Sequence, residues 1–461
     1  MSFPLPTHAS VGTDGEELDR ILASRDVHSL FQPIVDLGSA EPLAYEALSR
    51  GPADSPLHRA DLLFAAARAA GRVDDLDELC RGRAFEAMVD SSLQAPYVLF
   101  VNREPSTVSG SALTPQHLTI LRRRGLRVVM ELTERDLSHH PAELLAFADR
   151  IRAAGMGIAL DDVGVDADSL ALMPFLMPDV IKLDMGLLRT RPDTAGVQVV
   201  SAVRAHAERR GTVILAEGIE TEEQERLAVA MGATLGQGWR YGRPAPLPSA
   251  EQLRAARIRT LPSRPVVLRD PDPELAAASP FEMATRTIPP IRGPLDLLAA
   301  LRLQMEHEVE ATNGLAVVLT TCVDPPDLSP ASAENYVQLA RAARFAAVLG
   351  RDMPDEIVPG LRGSPVPAED PVSAEWNLVV VSPHSAVGLV ARERPDPHPD
   401  EGRAFDYVLT YDRPLVVDMA RALMMRALPM PAPEVAPPAA VDAAFIEDLL
   451  TMPADPAGVT G

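Results

Sequence analysis

Acidic, basic and amide side chains recur at the ends of short apolar runs in the first half of the chain. Each comes about one strand-plus-helix unit after the last, and the apolar run before it is typical of a buried β-strand. The carboxyl ends of parallel barrel strands meet at one face, so these side chains are expected to converge there. The residues of this set are Glu46, Asn102, Glu131, Asp161, Asp162, Lys182, Glu217 and Gln237.

Five members of this set are carboxylates, and gathering them has an electrostatic cost. Any one of them alone would be explained equally well as a cap for the helix that follows. As a set, uncompensated negative charges at one rim would cost several kcal/mol in shifted pKa values or lost stability. Divalent cations remove this conflict, and all-oxygen ligands without nearby His or Cys favour Mg²⁺ or Mn²⁺ over zinc. The adjacent Asp161 and Asp162 can serve two ions if the backbone turns between them.

Lys182 is the only lysine of the chain, whose 43 basic side chains are otherwise all arginine. Lysine carries a compact point charge, whereas arginine presents a planar fork of donors. Either chance has left one lysine here, or the position needs a compact cation beside a phosphate oxygen or an attacking water. Two bound ions can activate a water and stabilise an in-line phosphoryl displacement. The residues therefore predict phosphodiester hydrolysis.

The elements that must position these residues alternate between strands and helices up to about residue 260. Amphipathic helical stretches separate the apolar runs, and several end in glycine, as at Gly155, Gly211 and Gly232. About eight such units in this length favour an α/β fold with a parallel (β/α)8 barrel over an open doubly wound sheet. The absence of a GxGxxG motif after the first strand also disfavours a dinucleotide-binding fold.

The rest of the chain is predicted to form a second, smaller domain of mixed α/β type. Strand and helix patterns resume after a segment rich in Pro and Arg, and a stretch rich in Pro and Ala follows them. The predicted organisation is an N-terminal segment 1–16, a barrel 17–258, a linker 259–280, a second domain 281–426 and a tail 427–461.

Composition excludes several classes of function. A formal net charge of -22 argues against binding to a nucleic-acid polymer, which requires Lys and Arg to neutralise phosphates. The apolar runs are too short to span a bilayer, and the N-terminal residues lack the regions of a signal peptide. Cys80 and Cys322 are too far apart in sequence to suggest a metal motif or a disulfide framework. We expect a cytoplasmic protein without membrane association.

The motifs that carry the polar residues resemble those of the EAL family of cyclic di-GMP phosphodiesterases. AYEALSR at residues 44–50 resembles the ExLxR signature, and LFQPIVDL, ELTE, ALDD, IKLD, AEGIET and QGWRYGRP match the other family blocks in order. The resemblance covers about residues 17–258. It implies a (β/α)8 barrel with two Mg²⁺ or Mn²⁺ ions that opens cyclic di-GMP to linear pGpG, and a homodimer.

The resemblance also implies a role for each matching residue. The implied metal ligands are Glu46, Asn102, Glu131, Asp161 and Asp162, with Gln237 in the metal and water network. The implied catalytic residues are Lys182 near the attacking water, Glu217 as general base or metal-site residue, and Glu220 steadying the loop after the paired aspartates. The implied substrate contacts are Gln32, Leu48, Arg50 and Pro244, with Arg50 directed to a phosphate.

One block departs from the family pattern. The family usually has DFGTGYSS after the first aspartate of this block, whereas residues 162–169 are DVGVDADS. Val163 replaces an aromatic residue, and Asp166 replaces a glycine, which restricts access to positive φ. Two added aspartates also disfavour an anionic substrate unless they point away from it. The barrel is therefore either an active phosphodiesterase or a weak or inactive one that binds cyclic di-GMP or a protein partner.

The second domain resembles the DICT sensory domain more diffusely. The resemblance rests on PFEMATRTIPP, NYVQLARAARFAAVLG, EWNLVVVSP and AVGLVARE. It implies a regulatory input with an unknown ligand. A dimerisation domain that binds no ligand is the alternative.

Overall fold

A computed structural model provides the structure of the chain. It describes residues 10–104, 115–132, 140–164, 168–184, 186–189, 194–255, 278–312, 314–323, 330–394 and 403–428. The described residues contain a closed barrel of eight strands and a second sheet of eight strands. Both sheets belong to one compact unit.

The barrel has the strand number and the order that the sequence predicts, since neighbouring strands follow chain order around the closed sheet. Its strands are β1 (His28–Asp36), β2 (Pro42–Arg50), β3 (Val98–Arg103), β4 (Arg127–Leu132), β5 (Gly157–Val163), β6 (Val180–Leu183), β7 (Val213–Ala216) and β8 (Leu235–Gln237).

Helices precede the first strand and then follow most strands of the barrel. They are α1 (Ser10–Ser24), α2 (Ala60–Ala69), α3 (Val73–Asp90), α4 (Pro115–Arg124), α5 (Pro141–Ala153), α6 (Asp168–Leu176), α7 (Gly186–Arg189), α8 (Thr194–Arg210), α9 (Glu222–Ala230) and α10 (Ala250–Ala255). A capping box formed by Thr221 and Gln224 fixes the start of α9. Among the described helices, none is long and apolar enough to cross a membrane.

Strand β1 differs from the all-parallel arrangement that the sequence analysis expects. It pairs antiparallel with β2 on one side and with β8 on the other. Only the turn between Asp36 and Pro42 joins β1 to β2, and a parallel connection would need a crossover of a dozen or more residues. The long hairpin places Glu46 in the middle of β2, rather than after a strand.

The second sheet confirms a mixed α/β arrangement after the barrel. Its order is β12-β13-β11-β10-β14-β15-β16-β9, and only β10–β11 and β11–β13 pair in parallel. The strands are β9 (Ile291–Pro294), β10 (Ala316–Cys322), β11 (Ala343–Gly350), β12 (Glu356–Val358), β13 (Leu361–Pro365), β14 (Glu375–Val381), β15 (Ala386–Glu393) and β16 (Ala404–Thr410). The helices are α11 (Pro280–Thr285), α12 (Leu295–Glu310), α13 (Pro330–Ala342), the 3₁₀ helix Pro371–Ala374 and α14 (Arg413–Met424).

Helix α14 joins the second sheet to the barrel. It packs against β14 and β15 of its own sheet and against α6 of the barrel. Arg421 on α14 donates to the carbonyl oxygens of Phe175 (3.0 Å) and Leu145 (3.3 Å), and its guanidinium pairs with Asp149 at 2.5 Å. One side chain of the second sheet region therefore binds both α5 and α6.

Candidate functional site

The predicted polar residues lie one layer above an apolar plug that fills the barrel. Residues two apart on a strand point to the same face, so a polar residue two positions after a core residue shares its inward direction. Phe100, Val129, Ala159, Val180, Leu215 and Leu235 belong to one buried cluster inside the barrel. Two residues after them, in the same order, come Asn102, Glu131, Asp161, Lys182, Glu217 and Gln237.

The antiparallel first strand follows the same rule in reverse. Ile34 belongs to the plug, and Gln32 lies two residues before it on β1. Gln32 is paired in register with Glu46 of β2, which itself lies two residues after the plug residue Ala44. The reversal of β1 thus brings a glutamine to the same rim as the residues that end the parallel strands.

Lys182 lies at the centre of the carboxylates. Its ammonium is 2.8 Å from one oxygen each of Glu131, Asp161 and Glu217, and 3.7 Å from Glu46. The lysine side chain is 1% exposed. The four acids come from or follow four different strands, so the structure brings them together as the spacing predicts. The ammonium of Lys182 thus lies within ion-pair distance of four carboxylates.

Amide side chains hold Glu46 from the other side. Asn102 donates to Glu46 Oε1 at 3.0 Å, and Gln237 donates to Glu46 Oε2 at 2.6 Å. Gln32 in turn donates to the carbonyl oxygen of Gly242 at 3.0 Å. The Oε1 atom of the buried Gln237 has no hydrogen-bond partner among the described residues. An unpartnered buried acceptor at this rim is suited to a further ligand or an ordered water.

Burial and mutual repulsion perturb the acids unequally. Burial raises the pKa of Glu131 well above its usual value, and the charge of Glu46 adds to the effect. Burial also raises the pKa of Glu217 to about 8, although Lys182 opposes the shift. Burial would raise the pKa of Glu46 too, but Lys182 and hydrogen bonds bring it below its usual value. Glu131 and Glu217 therefore tend to keep protons while no stronger positive charge is present.

The backbone turns sharply at the paired aspartates. Asp162 has φ of 54°, a left-handed conformation that Asp tolerates better than most residues. Its backbone N–H donates to Asp161 Oδ1 at 3.0 Å. Asp161, Asp162 and Glu217 each offer one carboxylate oxygen, and these atoms lie within 4.8 Å of one another. This all-oxygen group fits a hard divalent cation such as Mg²⁺ or Mn²⁺.

The remaining predicted residues lie around this centre. Arg50 ends β2, is partly exposed, and donates to the carbonyl oxygen of Ser49 at 2.7 Å. Leu48 and Pro244 are partly exposed, and Pro244 precedes the bridge that Ala245 forms with Phe31. The side chain of Glu220 is exposed. Residues 165–167 of the divergent block lie outside the described residues.

The sequence analysis missed two features of this rim. It did not foresee that Lys182 pairs directly with the acids, because an apolar strand pattern does not reveal which inward side chains touch. It also did not single out Trp239, an exposed aromatic residue two positions after Gln237. The guanidinium of Arg243 lies 4.2 Å from the centre of the Trp239 ring. The signal available was a large aromatic residue in the QGWRYGRP block next to a predicted rim residue.

Known proteins resemble the first half of the chain. The family model described as EAL domain matches residues 16–244. Cyclic di-GMP phosphodiesterase NbdA of Pseudomonas aeruginosa is 28% identical over 255 residues, which are 54% of this chain and 33% of NbdA. Probable cyclic di-GMP phosphodiesterase PdeB of Escherichia coli is 30% identical over 235 residues, 50% of this chain and 45% of PdeB. The chain thus spans less than half the length of these two relatives.

Solved structures resemble the same region. The c-di-GMP complex of the PaMucR phosphodiesterase aligns with a TM-score of 0.45 at 26% identity, over 52% of this chain and 99% of that chain. The manganese/cy-diGMP complex of Klebsiella pneumoniae BlrP1 at pH 6 aligns with a TM-score of 0.42 at 27% identity, over 48% of this chain and 56% of that chain. Residues 16–244 of this chain are an EAL domain.

Proposed function

We propose that the EAL domain hydrolyses cyclic di-GMP to linear pGpG with the help of two divalent cations, Mg²⁺ or Mn²⁺. The single observation that carries this proposal is the convergence of four carboxylates on Lys182, three of them at 2.8 Å. Buried carboxylates repel one another, so bound cations would stabilise a site with this many acids. The relatives NbdA, a cyclic di-GMP phosphodiesterase, and PdeB, a probable one, support cyclic di-GMP as the substrate.

The chain offers two groups of ligands for these cations. Asp161, Asp162 and Glu217 already lie close enough to share an ion. Glu46, Asn102 and Glu131 complete the set that we assign to the metal site, with Gln237 contributing through its unpartnered amide oxygen. When bound, divalent cations lower the pKa of a water and stabilise charge that develops on phosphate oxygens.

The protein's own residues then position the reactants. Lys182 is a buried ammonium that its acidic neighbours keep charged, so it can donate to an attacking water or to a phosphate oxygen. Glu217 is assigned as general base or metal-site residue; in the metal-free site, burial raises the pKa of its carboxyl to about 8. Gln32, Leu48, Arg50 and Pro244 are assigned to the substrate, with the guanidinium of Arg50 on a phosphate. Glu220 is assigned to the loop after the aspartates.

A second candidate function is binding of cyclic di-GMP without efficient turnover. The observation in its favour is the block at residues 162–169, which lacks the usual Gly-rich sequence. Val163 is fully buried in the core, so the position of the family's aromatic residue is filled by a small apolar side chain. A barrel of this kind would act as an effector or a protein-binding module.

The second sheet region is proposed to regulate the barrel as a sensory domain of the DICT type, with an unknown ligand. Its boundaries are taken as residues 281–426, after a linker at 259–280. Support comes from Arg421, which binds α5 and α6 directly. Since α6 follows the Asp161–Asp162 pair closely in sequence, a shift of α14 would be transmitted towards the metal ligands. The homodimer implied by the family resemblance belongs to the same proposal.

A hydrolysis assay on the full chain tests the main proposal. Purified protein with Mg²⁺ or Mn²⁺ should convert cyclic di-GMP to pGpG, and chelation should abolish the conversion. Glu46→Gln, Glu217→Gln and Lys182→Arg should each reduce turnover by at least about a hundredfold. Glu223→Gln is the matched control, since Glu223 is exposed on α9.

Calorimetric titration with cyclic di-GMP separates the two candidate functions. Binding without turnover at saturating metal would support the effector and overturn the enzyme. Absence of both binding and turnover would overturn the enzyme and the cyclic di-GMP effector, and would leave the barrel as a protein-binding module.

A further inference from the structure

Two arginines from different parts of the fold bind one turn of the second sheet. Arg209, at the end of α8, donates to the carbonyl oxygen of Pro383. Arg413, at the start of α14, donates to the carbonyl oxygens of Ser382 at 2.7 Å and Ser385 at 2.9 Å. The turn at residues 382–385 joins β14 to β15, so the barrel and the second sheet meet at this point.

These arginines and the neighbouring Arg210 lack acidic partners. Within the described parts of the chain, no carboxylate lies at ion-pair distance from Arg209, Arg210 or Arg413. The adjacent acid Glu208 is oriented instead towards Arg204, at 4.0 Å. The neighbouring arginines even lower the pKa of Arg413, after the effect of burial. Uncompensated cations are unusual in a chain whose formal net charge is -22.

A buried histidine completes the group. His206 lies one helical turn before Arg209 and Arg210 on α8, and it is 5% exposed. Its Nε2 atom has no hydrogen-bond partner among the residues that the structure describes. Burial, with Arg210, Arg209 and Arg413, lowers the pKa of His206 to about 3, so the ring is neutral near pH 7. A buried polar atom without a hydrogen-bond partner destabilises the fold, and a bound ligand would offset this loss.

The geometry points to an oxyanion-binding site of the phosphate class at this junction, formed by Arg209, Arg210, Arg413 and His206. Guanidinium groups present several donors in a planar fork that matches phosphate oxygens. A doubly charged oxyanion would neutralise arginines that form no ion pair with the residues that the structure describes. Inorganic phosphate and the phosphate monoester of a small metabolite share this chemistry. The bound anion would tie α8 of the barrel to the turn at 382–385.

This site lies at the opposite end of the barrel strands from the acidic rim. The segment from His206 to Arg210 leads into the first residue of β7, Val213, whereas Glu217 follows the last residue of that strand. Phosphate binding at this site therefore does not depend on whether cyclic di-GMP is hydrolysed at the acidic rim, and the chain has a second ligand site.

Calorimetric titration of the full chain with inorganic phosphate, at constant ionic strength set by chloride, tests the inference. We expect saturable binding, and Arg210→Gln should weaken it about tenfold, since one charge-assisted hydrogen bond is lost. Arg210 makes no hydrogen bond or ion pair with the described residues, so this variant should keep the fold. Arg204→Gln, on the same helix but paired with Glu208, is the matched control and should leave the affinity unchanged.

The NMR resonances of the His206 ring show whether phosphate binds at this site. The chain has ten histidines, and the NMR signals that disappear in His206→Gln are those of His206. These signals should shift on addition of phosphate. Glycerol phosphate identifies the source: tighter binding than inorganic phosphate supports a metabolite monoester, and weaker binding supports the free ion. The inference is overturned if phosphate produces no saturable heat, if the His206 resonances stay fixed, or if Arg204→Gln weakens binding as much as Arg210→Gln.

Discussion

At the scale of single residues, Lys182 has two roles in this account. In the absence of divalent cations its ammonium is the nearest positive charge to Glu131, Asp161 and Glu217. Bound divalent cations would supply that charge instead, and the lysine would become available to the reactants. A compact ammonium suits both roles better than a planar guanidinium, since it can approach several acids at once. This explains in physical terms why the only lysine of the chain occurs here.

Replacement of Lys182 by methionine should destabilise the metal-free protein. Removing one partner of a buried ion pair typically costs about 3–5 kcal/mol, because the remaining charges are left without compensation. Urea denaturation in the presence of a chelator measures the loss, and saturating Mg²⁺ should restore part of it. Arg204→Met, which removes an exposed cation, should change the free energy of unfolding by less than about 0.5 kcal/mol. Equal stability of Lys182→Met and the unmodified chain would contradict this role.

The acids of the site should make the metal-free protein less stable as the pH rises. The pKa of Glu217 is about 8 in the folded chain, above its value in the unfolded chain, so the folded state binds the extra proton. The resulting stability is fully present below the unfolded pKa and is lost as the pH approaches 8. The melting temperature in chelator should therefore fall between about pH 5 and pH 8. Glu217→Gln, or saturating Mg²⁺, should flatten this slope; an unchanged slope in both cases would refute the assignment.

At the scale of elements, alternation along each strand determines which residues reach the rim. The sequence was sufficient to predict Glu131, Asp161 and Lys182 there, because each lies two residues after a core position of a parallel strand. It did not reveal the reversal of β1, since apolar alternation is the same in both directions. The short turn before Pro42 was the available signal. The pairing of Lys182 with three acids depends on side-chain directions in space, which the pattern does not contain.

Gly164 directly follows β5, and its substitution should destabilise the folded chain more than substitution of other residues in this strand and turn. Its φ is +112°, and an added Cβ would lie 2.6 Å from Leu187 Cδ1 on α7. Gly155 is the matched control, because it also has positive φ (+78°) but no neighbour within 4 Å of an added Cβ. Gly155→Ala should cost about 1–2 kcal/mol from backbone strain alone. Gly164→Ala should cost about 1–3 kcal/mol more and weaken Mg²⁺ binding, as measured by urea denaturation and calorimetry. Equal losses for both variants would show that contact with Leu187 is unimportant.

At the scale of the whole molecule, the barrel and the second sheet are joined through charged contacts to main-chain atoms. Arg421 binds carbonyl oxygens of α5 and α6, and Arg209 binds the turn at residues 382–385. The sequence predicts both sheets but neither contact, because every residue type carries the same carbonyl oxygen. If the second sheet region regulates the barrel as proposed, its signal would reach the barrel through these contacts.

Replacement of Arg421 by alanine should loosen α5 and α6. The variant loses an ion pair to Asp149 and two hydrogen bonds to carbonyl oxygens, a change of about 2 kcal/mol. Amide hydrogen exchange in α5 and α6 should become faster. Arg426→Ala is the matched control, because Arg426 forms a somewhat more buried pair at 2.7 Å with Asp370 within the second sheet region. Faster exchange in both variants, or in neither, would contradict a specific link through Arg421.

The acidic rim of the barrel is expected to hold divalent cations, and the proposed function depends on it. Crystals of the full chain grown with Mn²⁺, with anomalous diffraction recorded near the manganese edge, test it most directly. We predict two manganese peaks at this rim, with Asp161, Asp162 and Glu217 among the ligands. If crystals grown at saturating Mn²⁺ show no peak at the rim, or show peaks only elsewhere on the chain, the proposed metal site is wrong.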